Sequence, residues 1–301
     1  MSLRYLCRSR ATFRINYLHH PSFISEISEY NINSFSYCSP SLTAVFFPPF
    51  EAVGSSLSLS RDTMKQISAT HRAIQSLSPD IVFSDPRRII SLPFPSLLEI
   101  PEPFHLAEPQ GDVDVFRFIG RSAFARLLEE VQNPNFLRNR YDLYLYGPSG
   151  TGKSHLLGAL VLHLVKDKNR VIYIPDCWRL VLNARGCLRS ALLFAFHDNR
   201  NSYETIEKAK SADDLVRFVL ELPKRSFYFV MDQRNALEEV EQDLGSTYHD
   251  PCMRTKDKVW EYLHLIGSQA LHIFSASANH RSDRYAGRKH SSIKPFFCRP
   301  D

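Results

Sequence analysis

Apolar and polar positions along this chain fall into two regimes. Up to about residue 110 no period is sustained. Runs such as Phe46-Phe47-Pro48-Pro49-Phe50, Pro93-Phe94-Pro95 and Pro101-Glu102-Pro103 interrupt each element that begins. A short helix from about Thr63 to Ser76, with Met64, Ile67 and Ile74 on one face, is the exception. From Asp112 the pattern becomes regular. Phe124, Leu127, Leu128 and Val131 follow helical spacing up to Asn133-Pro134. Leu143-Tyr144-Leu145-Tyr146 reads as a short buried strand. A mostly apolar helix follows through Leu156, Leu157, Ala159, Leu160, Leu164 and Val165, closed by Lys166, Lys168 and Asn169.

The same alternation of types continues. Val171-Ile172-Tyr173-Ile174 predicts a second strand, closed by Pro175-Asp176. One helix is expected through Leu180, Ala184, Cys187, Leu188, Ala191 and Ala195, with Cys187 as a small buried apolar residue. The polar stretch from His197 to Ser211 reads as a surface connection. Leu215, Phe218, Val219 and Leu222 mark another helix, stopped at Pro223. Phe227 to Met231 is a third apolar strand. Thr255 can cap a helix carrying Val259, Leu263 and Ile266, and Leu271-His272-Ile273-Phe274 begins a fourth strand. Strands alternating with helices predict an α/β fold with a mainly parallel sheet.

The loop after the first of these strands carries chemistry. Gly147-Pro148-Ser149-Gly150-Thr151-Gly152-Lys153-Ser154 fits G-x-x-x-x-G-K-[ST], the phosphate-binding P-loop. Glycines let the backbone turn its N–H groups inward as an anion nest. Lys153 would reach the β- and γ-phosphates, Ser154 would place its hydroxyl on Mg²⁺, and the next helix adds its positive end. Strand, glycine loop and helix are the context this motif requires.

A second signal supports the first. The apolar strand ending in Asp232 has the Walker B pattern, in which a carboxylate helps hold Mg²⁺. Gln233 follows it, where many such ATPases carry Glu. An amide can orient water but cannot accept its proton, so hydrolysis is expected to be slow or to use another base. Glu238, Glu239 and Asn235 are nearby polar candidates. Ser277 and Asn279, beyond the fourth strand, are candidates to sense the γ-phosphate. Phe118 and Ile119, ahead of the P-loop strand, are candidates for base contact, against the simpler reading of core. The expected ligands are therefore ATP and Mg²⁺, although no local pattern reads adenine directly; the Asn-Lys-x-Asp signature of guanine sites is not seen.

Composition adds bounds. The net charge of +5 permits nucleic-acid contact without arguing for it. The six cysteines form no C-x-x-C pair, and His249 and Cys252 lack further ligand partners in sequence. No apolar run is long enough to span a bilayer, and no secretory signal is legible. Arg4, Arg8, Arg10 and Arg14 give a basic N-terminus that overlaps with organelle-targeting peptides and equally with a disordered basic tail. A basic run from His280 to His290, with Arg281, Arg284, Arg288 and Lys289, reads as a solvated tail; an arginine finger is the alternative.

The region from about Asp112 to Asn279 resembles the P-loop NTPase module of Crinkler-type proteins. The resemblance is carried by the helix Gly120 to Val131, by Tyr144-Leu145-Tyr146-Gly147, by Val171-Ile172-Tyr173-Ile174-Pro175-Asp176-Cys177 and above all by Asp232-Gln233-Arg234-Asn235-Ala236-Leu237. It implies that Gln233 is a family feature and that nucleotide binding falls to Gly147, Gly152, Lys153, Ser154 and Asp232. Such modules are often joined to a ubiquitin-like header and a nuclease-like domain and act in host nuclei; neither flanking part is recognisable in this sequence. The expectation is thus a poorly structured segment over 1–110 and a three-layer P-loop NTPase-type domain over 112–301, with no fifth core strand or C-terminal lid evident. Its function is expected to be Mg²⁺-dependent ATP binding with slow or partner-stimulated hydrolysis. A catalytically silent nucleotide switch that engages a protein partner, and an ATP-dependent nucleic-acid binder, stay open beside it.

Overall fold

A computed structural model describes residues 61–78, 83–104, 113–138, 141–237, 251–276 and 293–298. These lie in a compact unit running from Ser56 to Asp301. Its centre is a five-stranded sheet in the order β4-β5-β6-β3-β7. The strands are β3 (Asp142–Tyr146), β4 (Val171–Ile174), β5 (Tyr228–Met231), β6 (Leu271–Ser275) and β7 (Ile293–Phe297). Every pairing among them is parallel. The four expected strands are present, and β7 corrects the expectation that a fifth is lacking. It pairs with β3 from Asp142↔Ile293 to Tyr146↔Phe297. Its sequence, Ile293-Lys294-Pro295-Phe296-Phe297, contains a proline and a lysine, which an edge strand tolerates and a central one does not.

Both faces of the sheet are buried over β4, β5 and β6, which is why those strands read as continuous apolar runs. Val171, Tyr173, Tyr228 and Val230 face one cluster, together with α4 (Lys153–Lys166). Ile172, Ile174, Phe229 and Met231 face the other. That second layer is built from α5 (Cys177–Leu182), α6 (Ala184–Ala195), α8 (Ala212–Leu220) and α9 (Pro251–Gln269). Helix, sheet, helix gives the expected three-layer P-loop NTPase-type architecture.

Local chemistry sets the helix ends. The single helix expected through residues 180–195 is two, because Asn183 turns out of α5 and caps α6 by accepting from the Gly186 N–H at 2.9 Å. Asp176 caps α5, accepting from Trp178 N at 2.8 Å. Ser211 and Asp214 form a reciprocal capping box on α8. The connection expected from His197 to Ser211 contains α7 (Arg200–Lys208), anchored by buried Ile206. Helix α9 begins at Pro251 rather than Thr255, with proline in the first turn, where its missing N–H costs nothing.

The compact unit starts well before the boundary near residue 112 read from the sequence. Helix α1 (Arg61–Gln75) buries Ile67 and Ile74. Strand β1 (Ile89–Pro93) pairs antiparallel with β2 (Val115–Ile119) outside the main sheet. Leu92, Phe94, Phe104, Phe116 and Phe118 are all 1% exposed or less and share the cluster containing α4. Beyond β2, α2 (Ser122–Val131) and α3 (Pro134–Leu137) pack Phe124, Leu127, Val131 and Phe136 into that layer. The reason lies in α4, which is apolar nearly all round and so needs cover on its outer side. Gln75 donates to Val165 O at 3.2 Å, and Lys166 Nζ donates to Leu77 O at 2.7 Å. Among the described residues no helix is long and apolar enough to cross a membrane.

Candidate functional site

The glycine loop leaves the C-terminal end of β3 and delivers the chain into α4. Gly147 has φ 150°, and a Cβ there would lie 2.6 Å from the carbonyl oxygen of Cys298. Cys298 N donates to Tyr146 O at 2.8 Å. The fifth strand therefore fixes the entry to the loop. Gly152 caps α4 from the left-handed region at φ 67°, with the Arg121 guanidinium filling the space a Cβ would need. Inside the loop, Thr151 Oγ1 donates to Pro148 O at 2.9 Å.

Lys153 closes this loop on itself. Its Nζ donates to Gly147 O at 2.9 Å and Pro148 O at 3.0 Å. Burial pushes its ammonium down from the ordinary lysine value, while the Asp232 charge holds it up. The first-turn amides of α4 and the helix dipole lie beside it, so the loop has the donor set of an anion cradle.

Asp232 reaches the same corner from β5, with β6 between its strand and β3. It is 2% exposed. Its Oδ1 accepts from the Ser275 hydroxyl and from the Gln233 N–H, the latter at 2.9 Å. Its Oδ2 is buried with no hydrogen-bond partner among the described residues. Burial raises its pKa above the usual carboxylate range, opposed by the Ser154 and Ser275 hydroxyls, the Gln233 amide and Lys153. A buried carboxylate oxygen left unpaired, with a serine hydroxyl facing the same carboxylate, is the hard-oxygen donor set that fits Mg²⁺; phosphate and water oxygens would complete such a shell. Among the described residues no three His, Cys, Asp or Glu side chains group as a metal site.

These parts line one cleft of about 820 Å³. Ser149, Gly150, Gly152, Lys153, Ser154, Asp232 and Gln233 all face it. Gly147, Pro148 and Thr151 shape the loop without lining the cleft. Gln233 sits in the left-handed region at φ 57°, which turns its N–H back onto Asp232. Asn235 is 5% exposed within the 3-10 turn Arg234–Leu237 and does not line the cleft. Of the two base-contact candidates, Phe118 is core, packed on Phe83 and Phe124. Ile119 is half exposed and faces the cleft beside Ile89, its partner in the β1–β2 ribbon. Glu238, Glu239, Ser277, Asn279, His249 and the basic residues at both ends lie outside the described residues.

Three residues here were not singled out from sequence. Ser275 ends β6 and donates its hydroxyl to Asp232. Arg121 donates to Thr151 O at 2.8 Å and faces the cleft; only the fold brings it there. His155 follows Ser154 and packs on Phe104 at 4.8 Å between centroids. Burial, then the Arg121 charge, lowers its pKa to about 4, so it is neutral at pH 7. Its place directly after Gly-Lys-Ser was the available signal.

No protein-family model and no curated protein matches the sequence. Among solved structures the chain is similar to a DNA replication initiation factor, at 19% identity over 57% of this chain and 45% of that one, TM-score 0.27. It is also similar to AMPPCP-bound DnaA from Aquifex aeolicus (18% identity, 57% and 46% covered, TM-score 0.27) and to PCH-2 of C. elegans (16%, 58% and 40%, TM-score 0.27). The matched region is thus less than half the length of these proteins. The strand order and the P-loop geometry themselves define a P-loop NTPase-type fold.

Proposed function

We propose that this chain binds ATP with Mg²⁺ and hydrolyses its β–γ bond slowly or on stimulation by a partner. The observation that carries the reading is the convergence of Lys153 and Ser154, at the start of α4, with buried Asp232 at the tip of β5. The loop amides and Lys153 would hold the phosphates, Lys153 exchanging its two carbonyl bonds for phosphate oxygens. Ser154 and Asp232 would hold Mg²⁺, which when bound supplies charge neutralisation at the β- and γ-phosphates. Gln233 would orient a water for in-line attack on the γ-phosphorus. The P–O bond to the β-phosphate breaks, ADP leaves, and the water's proton passes to phosphate or solvent, because an amide cannot take it. That last point supports slow turnover.

A second reading, a nucleotide-switched module without turnover that engages a protein partner, draws on the same glutamine. The Asp-Gln-x-Asn-Ala-Leu stretch supports a Crinkler-type module, with Gln233 as an intended feature. Support for nucleic-acid binding came from residues 280–290, outside the described ones.

The test is Mg-ATP binding and phosphate release by the full chain, beside Lys153→Ala and Gln233→Glu. Release lost in Lys153→Ala and raised in Gln233→Glu is the expected result. Binding lost in Lys153→Ala with no release from any variant selects the switch. A folded wild-type chain that binds no nucleotide overturns both.

A further inference from the structure

The phenol of Tyr173 is buried in the core, and among the described residues its hydroxyl has no hydrogen-bond partner. Buried tyrosine hydroxyls ordinarily find one, and phenylalanine would fill an apolar site without leaving an unpaired polar group. Tyr173 packs among aromatic residues, with Phe94 at 6.4 Å between ring centroids. Something other than packing therefore has to account for the hydroxyl.

The strand register indicates what it is near. Tyr173 stands opposite Val230, and both side chains join the cluster on the α4 face. Asp232 lies two positions beyond Val230 and continues on that face, where the Ser154 hydroxyl acts on its carboxylate. The negative charge of Asp232 is felt at the phenol. One corner thus holds two buried oxygens with unused capacity: Oδ2 of Asp232, which accepts, and the Tyr173 hydroxyl, which donates and accepts. They do not bond each other. A group able to satisfy both would have to offer donors, as a cation-bound water does. Mg²⁺ retains several of its waters when protein and phosphate oxygens supply the remaining ligands.

We propose that Tyr173 is a positioning residue of the cation site, its hydroxyl holding a water on the divalent cation that Asp232 and Ser154 hold beside the nucleotide phosphates. This rests on the nucleotide-binding reading above. Groups that act through a metal's ligands or waters change metal affinity about 10- to 100-fold when removed. Tyr173→Phe is a mild change that deletes only the unpaired oxygen, so the metal-free chain is expected to keep or gain stability.

The experiment measures affinity of the full chain for a fluorescent ATP analogue, in EDTA and across a range of free Mg²⁺, with the melting temperature in EDTA alongside. Wild type, Tyr173→Phe and Asp232→Asn are compared. For Tyr173→Phe the expected result is unchanged affinity and an equal or higher melting temperature in EDTA, with the Mg²⁺ midpoint shifted upward about 10-fold. Asp232→Asn is expected to lose the Mg²⁺ response. A wild-type Mg²⁺ response that Tyr173→Phe retains in full overturns the Tyr173 assignment alone. So does a parallel loss of EDTA affinity and melting temperature, which would mark a purely structural hydroxyl. A wild-type chain that binds no nucleotide at any Mg²⁺ level overturns the underlying reading and this one together.

Discussion

Ser275, the last residue of β6, donates its hydroxyl to Oδ1 of Asp232 at the tip of the neighbouring strand β5. Ser275 is fully buried and Asp232 nearly so. The bond therefore ties two strand ends together and settles half of a carboxylate whose other oxygen is unpaired. Ser275→Ala removes a hydrogen bond to a charged acceptor. It is expected to cost about 1.5–3 kcal/mol of stability and to raise the Asp232 pKa further. Urea denaturation at pH 7 checks the first effect. A loss below about 0.5 kcal/mol would mean the bond is not maintained in solution.

Gly147→Ala tests whether β7 and the glycine loop are one unit. The substitution forces a Cβ against the Cys298 carbonyl at a backbone angle that side chains rarely adopt. Because the obstructing atom is backbone, strand β7 must shift. The expected loss is about 2 kcal/mol or more. Hydrogen exchange of the Cys298 amide, which bonds Tyr146 O, should rise with it, and an unchanged exchange rate would separate loop from strand.

Gln233 is held in a left-handed conformation that glycine occupies without strain. Gln233→Gly is expected to leave stability equal or raise it by up to about 1 kcal/mol. Phosphate release should fall at the same time, because the water-orienting amide is gone. A variant that loses stability instead would assign the glutamine side chain a packing role.

Stability should also depend on pH through His71. Its ring stacks on His197 at 3.5 Å and on Phe194 at 4.3 Å, and its Nε2 contacts Phe194 O at 3.0 Å. Burial, then the charge of His197, lowers its pKa to about 4 from 6.5. Between those values the unfolded chain holds the extra proton. The stabilising contribution is thus complete above pH 6.5 and drains away as pH falls toward 4. The share from His71 is on the order of 1–2 kcal/mol at pH 5. Denaturation from pH 4 to 8 should show a shallower slope in His71→Gln than in wild type, with part of the slope remaining through His155, whose pKa is also about 4. Identical slopes would remove His71 from the account.

The parts of the fold legible in sequence are those whose signal is local. The P-loop, the strand into it and the apolar run into Asp232 each carry their pattern within a few residues, and the structure brings Lys153, Ser154, Asp232 and Gln233 to one cleft. Strand β7 was missed because a short edge strand with Pro295 and Lys294 has no strand-like alternation. Helix α7 was missed because Ile206 alone anchors it. The β1–β2 ribbon was missed because Pro93 and Pro95 read as interruptions, although the apolar outer face of α4 required a cover. Arg121, Ser275 and Tyr173 owe their places to the strand order and to the packing around α4, which no window of sequence contains.

The strand that carries the glycine loop lies between β6 and β7, and both are translated long after it. A nascent chain that has just made the loop has neither neighbour to pair with, and a long-range closure must precede any cradle. The pairing of β4 with β5 can form first, but β3 joins the sheet only after β6 has docked on β5. Competence to hold a phosphate is thus acquired only once β6 and β7 have both emerged, and all at once, so a ligand for this cleft would report that the sheet has closed around β3.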